Sequence, residues 1–410
     1  MIISDSMKKA YVEYLRELIR RPSETAKEGE IALFIFESLK RLGVETYIDI
    51  AGNVVGELNC GDGPTVLLNG HLDAVNEGNL DAWAPYTPFG GDMDGDLIIG
   101  RGASDIKSGI AAQFFAFKYF KDALDNGARF NGTLIFSAVV HEEAAEMLGM
   151  QVLIEKTLPE RGRSVDLCIL CEPSSGKVAL GHRGKIELVV TAYGKTAHSS
   201  QPRQGINALQ KMIPVMRYVF EDLPGLLKSD PVLGESSVTI TDCVVKPGAQ
   251  SILPDICEIS LDRRYMPGET TEELLLQFNE LFDKIKAEDP EFRADVRPRA
   301  YDEITYTGYK QRVNKYHPAW TTDPDLPIVK TALDALASIG QKLECVYWKF
   351  GTDGSMTAGL HNIPTIGYSH AEERWAHQPK EQVSVTEMLK TIKGTAAMAA
   401  AILGLTNTRR

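Results

Sequence analysis

Five short polar clusters carry residue types that could do chemistry: Gly70-His71-Leu72-Asp73, Gly100-Arg101-Gly102-Ala103-Ser104-Asp105, His141-Glu142-Glu143, Glu172-Pro173-Ser174 and Ala376-His377-Gln378-Pro379. Histidines and carboxylates offered without thiolates are the donors that hold zinc and similar divalent ions. More carboxylates are present than one zinc can use, so two metals sharing a bridging carboxylate is the economical arrangement. Each cluster alone is ordinary. His-x-Asp is commonly a hydrogen-bonded pair, paired glutamates favour helix starts, and Asp105 could cap the helix that follows it. Gly100-x-Gly102 resembles a nucleotide loop, but Asp105 stands where G-x-G-x-x-G has its third glycine, and a carboxylate there repels pyrophosphate. The joint occurrence of the five is what points to a site.

The elements that must position these clusters are short β-rich apolar runs, each ending just before one of them: Thr65 to Asn69, Leu97 to Ile99, Thr133 to Val140, Asp166 to Cys171 and Pro364 to Tyr368. Helical periodicity separates them, over the first forty residues, Ile110 to Phe120, Met147 to Ile154, Ile328 to Ile339 and from Thr386 onward. This alternation predicts an α/β unit with a largely parallel sheet, whose strand ends form the ligand crevice. From Gly181 the texture changes. Strand Lys185 to Tyr193, helix Gly205 to Phe220, strands Ser236 to Val245 and Asp255 to Arg264, helix Glu269 to Lys286 and strand Arg293 to Ala300 follow in ferredoxin-like β-α-β-β-α-β order. The predicted organisation is a catalytic domain made of 1–181 and 299–410, interrupted by a small domain at 182–298, with Tyr301 to Pro327 irregular.

Composition narrows the function classes. The chain has 410 residues, 43% of them hydrophobic, and 44 Lys plus Arg against 56 Asp plus Glu give a formal charge of −12. Such an acidic balance argues against nucleic acid as a partner. No run approaches the roughly 20 apolar residues of a membrane span, and Met1 to Ala10 holds no signal-peptide core, so the expected location is cytoplasmic, away from membranes. Six scattered cysteines suit reduced thiols. Cys168 and Cys171 fall in one predicted strand on opposite faces, which disfavours a shared metal.

The motif set GHLD, GRGASDIKSG, HEEAAE, EPS and WAHQPKE, with GKTAHSSQPRQGINA and DRRYMPGET in the inserted segment, resembles the dinuclear zinc amidohydrolases and exopeptidases that include acetylornithine deacetylase, succinyl-diaminopimelate desuccinylase, aminoacylase and glutamate carboxypeptidases. GHRG at 181–184 and the double arginine of DRRY are most similar to a branch of hydrolases linked by name to selenium metabolism. The resemblance implies a zinc-peptidase-like catalytic domain with a mixed, largely parallel sheet, plus an inserted ferredoxin-like α+β lid and dimerisation domain. It implies two Zn²⁺ per chain, with Co²⁺ or Mn²⁺ as substitutes: His71 and Glu172 on one ion, Glu143 and His377 on the other, and Asp105 bridging. Asp73 would orient His71, and Glu142 would be the general base towards a water shared by the ions.

The same resemblance assigns oxyanion stabilisation to His198, acting in the partner subunit's site of a homodimer, and carboxylate binding to Arg264, beside Arg263. Ser251 stands in Gln250-Ser251-Ile252-Leu253-Pro254 where relatives carry asparagine, and Thr352 belongs to a turn, Thr352-Asp353-Gly354, that shapes the leaving-group pocket. Tyr368 to Glu373 replaces the relatives' Gly-Pro-Gly turn and places His370 at the expected mouth. The implied activity is hydrolysis of the amide of a small N-acyl amino acid or dipeptide with a free carboxylate. A dinuclear zinc aminopeptidase and an inactive binding protein of the same fold are the alternatives.

Overall fold

The computed structural model describes residues 3–144 and 147–406. Its main sheet has nine strands, centred on four parallel ones in the order Thr133–Val139, Thr65–His71, Leu167–Leu170, Thr365–Tyr368. These read as nearly unbroken apolar runs because both faces are covered. Successive side chains enter opposite cores: Val66 and Leu68 pack with Ile110, Phe114, Met388 and Ile392, whereas Leu67 packs with Ile135, Met150 and Leu153. Cys168 and Cys171 likewise belong to opposite cores. Helices Asp5–Ile19, Gly29–Arg41, Ser108–Asp125 and Val385–Leu403 supply the first core. Antiparallel strands extend the sheet at both edges, Val54–Asn59 and Glu45–Ile48 on one side and Val178–His182 on the other, so the sheet is mixed and largely parallel.

Gly70 shows how tightly the first core meets the strand that carries His71. A Cβ on Gly70 would sit 2.6 Å from Cys171 Sγ and 3.0 Å from Ile110, closer than packed atoms approach. Only glycine fits there.

The second sheet runs Ser237–Lys246, Ile256–Tyr265, Gly184–Tyr193, Ala294–Pro298, with every neighbouring pair antiparallel. Helices Ala208–Arg217 and Thr271–Glu288 cover one face, burying Met212, Val215, Leu274 and Phe278 against Ile186, Leu188, Val190, Ile259 and Leu261. A capping box starts the longer helix: Thr270 Oγ1 accepts from Glu273 N at 3.2 Å and the Glu273 carboxylate accepts from Thr270 N at 3.0 Å. The other face carries the alternate, charged residues of the same strands.

Three expectations are corrected. Leu97–Ile99 is outside the main sheet; it forms a separate three-stranded sheet with Asp92–Asp94 and Gln382–Ser384, because its backbone pairs with residues 382–384 near the C-terminal helix. The stretch 301–327 contains a hairpin, Ala300–Ile304 with Lys310–Asn314, anchored by the Tyr306 hydroxyl donating to Gly52 O at 2.9 Å. Beyond it, Tyr316–His317 returns to pair with Gly184–Tyr193, so the second sheet takes a fifth strand from past residue 298.

Candidate metal centre

The four central strands are parallel, so their carboxyl ends open on one crevice. Thr65–His71 ends on His71, Thr133–Val139 leads into His141-Glu142-Glu143, Leu167–Leu170 leads into Glu172, and Thr365–Tyr368 leads towards His377. Asp105 comes from the loop after the small sheet. His71 Nδ1 donates to the Asp73 backbone carbonyl at 2.8 Å, which fixes the ring with Nε2 facing the crevice. The Asp73 carboxylate, expected to orient the imidazole, stands 3.5 Å from Nδ1 and is spent elsewhere: it accepts from Glu142 N at 3.1 Å, Glu143 N at 3.0 Å and Thr25 Oγ1 at 2.8 Å. Asp73 thus ties the strand bearing His71 to the segment bearing both glutamates.

Asp105 joins two donor groups. Its Oδ1 lies 3.2 Å from His71 Nε2, and its Oδ2 lies 3.3 Å from His377 Nε2. Glu172 Oε1 is 3.7 Å from His71 Nε2, and Glu143 Oε2 is 3.0 Å from His377 Nε2. One ligand atom from each of His71, Asp105 and Glu143 falls within 4.8 Å of the others. Glu142 stands beside this set, with Oε2 3.9 Å from His71 Nε2.

The electrostatics call for cations. Burial would push the His71 pKa down, but Asp105, Asp73, Glu142 and Glu172 together hold it well above the ordinary histidine value. Contacts with Asp105 and Glu143 lift His377 to about 10. Burial raises Glu142 and Glu172 well above normal, partly offset by His71, and burial raises Glu143. Asp105 runs the other way, because the two imidazoles overcome its burial. Without metal, protons must therefore neutralise a packed set of carboxylates. Divalent ions do the same work, and the imidazole and carboxylate donors, split into two groups that share Asp105, fit them.

A match to the model of peptidase family M20/M25/M40 spans residues 67–401 and takes in all of these donors. The chain belongs to peptidase family M20/M25/M40. Members of this M20 family are metal-dependent, and the chain is a metallohydrolase acting on peptide or acyl-amino-acid substrates. Its relatives include uncharacterized protein YgeY of Escherichia coli K12, 32% identical over 392 residues, 95% of this chain and 92% of the relative. A succinyl-diaminopimelate desuccinylase of Orientia tsutsugamushi is 26% identical over 279 residues, 65% of this chain and 70% of the relative. Among solved structures, aminopeptidase PepT from Bacillus cereus shares the fold at a TM-score of 0.70 and 21% identity, covering 96% of this chain and 98% of that one.

Within this M20 chain a cavity of about 440 Å³ opens over the donors. Asp105, Glu142, Glu143, Glu172 and His377 line one side, and Arg264, Lys185, His317 and Lys349 also line it. Arg264 and Lys185 are register partners across two strands, and His317 is Lys185's partner on the next. His198 and Ser251 do not line the cavity. They share an exposed loop pair in which Ser199 N donates to Ser251 O at 2.9 Å and His198 Nδ1 meets Ser200 Oγ at 2.7 Å. Thr352 is fully buried, its hydroxyl accepting from Gly354 N at 3.2 Å, so it shapes its turn. His370 is 9% exposed, 3.2 Å from Thr391 Oγ1, and lines a separate cavity.

Two carboxylates that stand in the sequence motifs without an assigned role, Glu381 and Asp353, support the centre. Glu381 is fully buried and accepts from Arg101 Nη1 at 2.8 Å, Gly102 N at 2.9 Å, and Ser104 N and Asp105 N at 2.8 Å each. It fixes the loop that presents Asp105. Gly102 completes that loop with φ +81°, and a Cβ on it would press Lys107 at 2.9 Å. Asp353 accepts from Asn69 Nδ2 at 3.0 Å, and burial lifts it to about 6. The position of Glu381, four residues past His377 on the same segment, was the one available signal.

Proposed function

We propose that the chain hydrolyses the amide bond of a small N-acyl amino acid or dipeptide bearing a free carboxylate, at two zinc ions held by His71 and Glu172, by Glu143 and His377, and by Asp105 between them. The observation that carries this reading is the single cavity lined both by that donor set with Glu142 and by Arg264. When bound, such ions would polarise the scissile carbonyl and acidify water. Glu142 takes a proton from the attacking water and returns it to the leaving nitrogen, so amide plus water becomes a carboxylic acid and an amine, which separate as carboxylate and ammonium. Its burial, which favours the protonated form, suits a group that must accept a proton. Arg264 keeps guanidinium hydrogens for the substrate carboxylate, the pairing this group makes best.

His198 and Ser251 enter the site from a second copy of the chain in this reading. Segment 182–298 then acts as lid and dimerisation unit. Among the described residues its edge strand Ser237–Lys246 is paired on one side only, with Val244 39% exposed, and Ile213 on a helix of the same unit is 52% exposed. Such an edge and apolar surface suit pairing with an identical edge. The test is a screen of N-acetyl amino acids, N-succinyl amino acids, dipeptides and aminoacyl chromogens with zinc-loaded protein. Turnover of acyl amino acids or dipeptides supports the reading, and turnover confined to aminoacyl chromogens overturns it. Mixed dimers of His198→Ala with Glu142→Gln should recover activity that neither variant has.

A further inference from the structure

The turn that carries Glu142 and Glu143 side by side is held by its backbone. His141 N donates to Glu28 Oε1 at 3.2 Å, Glu142 N to Asp73 Oδ1 at 3.1 Å and Glu143 N to Asp73 Oδ2 at 3.0 Å. Three consecutive N–H groups thus end on two carboxylates from distant parts of the chain, both buried. His141 has φ +58°, a left-handed conformation that residues other than glycine seldom adopt and that persists where the surroundings hold it. The bend bears on the chemistry. Successive side chains of a regular strand point to opposite faces, whereas Glu142 and Glu143 both line the one cavity.

Glu28 stands immediately before helix Gly29–Arg41 and makes no capping hydrogen bond to it from its side chain. Burial and the neighbouring Asp73 push its pKa up to about 7, so the chain keeps this acid in its interior at a cost. The hairpin Ala300–Ile304 with Lys310–Asn314 closes over the same region. Tyr306, between its strands, lays its ring against Gly29, where a Cβ would stand 3.2 Å from Cδ2, and Lys315 Nζ donates to Ala144 O just past the turn.

We propose that Glu28 is a positioning residue for Glu142: it fixes the left-handed bend at His141 through that residue's N–H, and so aims Glu142 into the cavity beside Glu143. Asp73 does not supply this contact, since its two oxygens are taken by the next two N–H groups and by Thr25 Oγ1. The proposal rests on the amide hydrolysis described above, in which Glu142 takes the proton of the attacking water.

The test uses zinc-loaded protein and the best substrate of the screen. Glu28→Leu removes the acceptor and should lower kcat about 10–100-fold, the loss that a displacement of about 1 Å brings, with KM within about twofold and zinc content retained. Glu28→Asp keeps the charge and falls one carbon short, so it should lose kcat too, and it decides the matter where Glu28→Leu does not fold. Glu28→Gln keeps an oxygen for His141 N and should stay within about threefold of wild type. A group that only supports the fold would not separate kcat from KM in this way. Unchanged kcat in Glu28→Leu, an equal loss in Glu28→Gln, or a loss that tracks zinc content overturns the proposal.

Hydrogen exchange of the zinc-loaded protein reads the anchor without turnover. Peptides covering 141–143 should exchange about tenfold faster in Glu28→Leu than in wild type or Glu28→Gln, with those of helix Val385–Leu403 unchanged. Should the screen turn over nothing, that pattern keeps the anchor and overturns the reaction. Equal exchange in all three overturns the anchor, and turnover by the wild type then leaves amide hydrolysis standing.

Discussion

The two sheets of this chain solve different problems with the same backbone pattern. The nine-stranded sheet is buried on both faces, and its central strands end on His71, the Glu142 segment and Glu172, so the donors inherit the rigidity of a packed interior. The second sheet has one apolar face against its helices, while the other presents Lys185, Glu187, Asp262 and Arg264. Charged side chains on such a face can be exchanged without disturbing a core. The contrast places a fixed donor geometry on one sheet and exchangeable charge on the other.

Substitutions can break or sharpen that contrast. Under the proposed mechanism, Glu142→Gln keeps the shape of the centre and removes the proton acceptor, so kcat should fall by about 10²–10⁴-fold, with metal content by mass spectrometry unchanged. Unaltered turnover would remove Glu142 from the mechanism. Leu67→Ala, on the strand that ends at His71 and buried in its core, should destabilise the chain by about 2–5 kcal/mol in denaturant melts. Glu381→Gln weakens the anchor of the Asp105 loop, and metal affinity measured by competition with a chelator should drop about 10–100-fold.

A smaller effect is electrostatic. In chelated protein His377 is raised to about 10, and Glu142 and Glu172 are raised as well. The folded state therefore holds protons that the unfolded chain has released. Stability from His377 is complete below its unfolded pKa of about 6.5 and is lost as pH rises towards 10, and the raised carboxylates act in the same direction from about 4.3 upward. Tm of chelated protein should fall between pH 7 and pH 9, while the gain on adding zinc grows, because the ion needs deprotonated donors. A Tm that rises over this range would contradict the assignment. The smallest change is expected for Thr239→Ala on the exposed edge strand, within about 0.5 kcal/mol; a loss comparable to Leu67→Ala would erase the distinction between the sheets.

The centre was legible where chemistry follows directly from strand ends. His71, Glu142, Glu143 and Glu172 each sit just beyond a strong apolar run, and parallel pairing brings such ends together whatever the details of register. Glu381 was not legible as an anchor, because its partners are backbone N–H groups far away in the sequence, which have no signature in side-chain type. The same holds for Lys185 and Lys349, whose shared place in the cavity wall has no signature in side-chain spacing. Leu97–Ile99 has the look of a main-sheet strand, yet an apolar triplet says nothing about which backbone it will pair with. His317 hid in a stretch without periodicity, and only the register of Gly184–Tyr193 shows that it extends a sheet.

The reach of Glu381 also bears on how the protein matures. Asp105 N donates to a carboxylate 276 residues further along the chain, on the same late segment that carries His377 and the strand Thr365–Tyr368. During synthesis the second sheet has all its strands before that segment exists. His71, Asp105, Glu143 and Glu172 can be together earlier, but the Asp105 loop then lacks its Glu381 carboxylate and the second donor group its His377 imidazole. Completion of the donor set is therefore a late event in the life of each polypeptide, and a chain stalled before residue 365 would hold every strand of the second sheet and an incomplete centre.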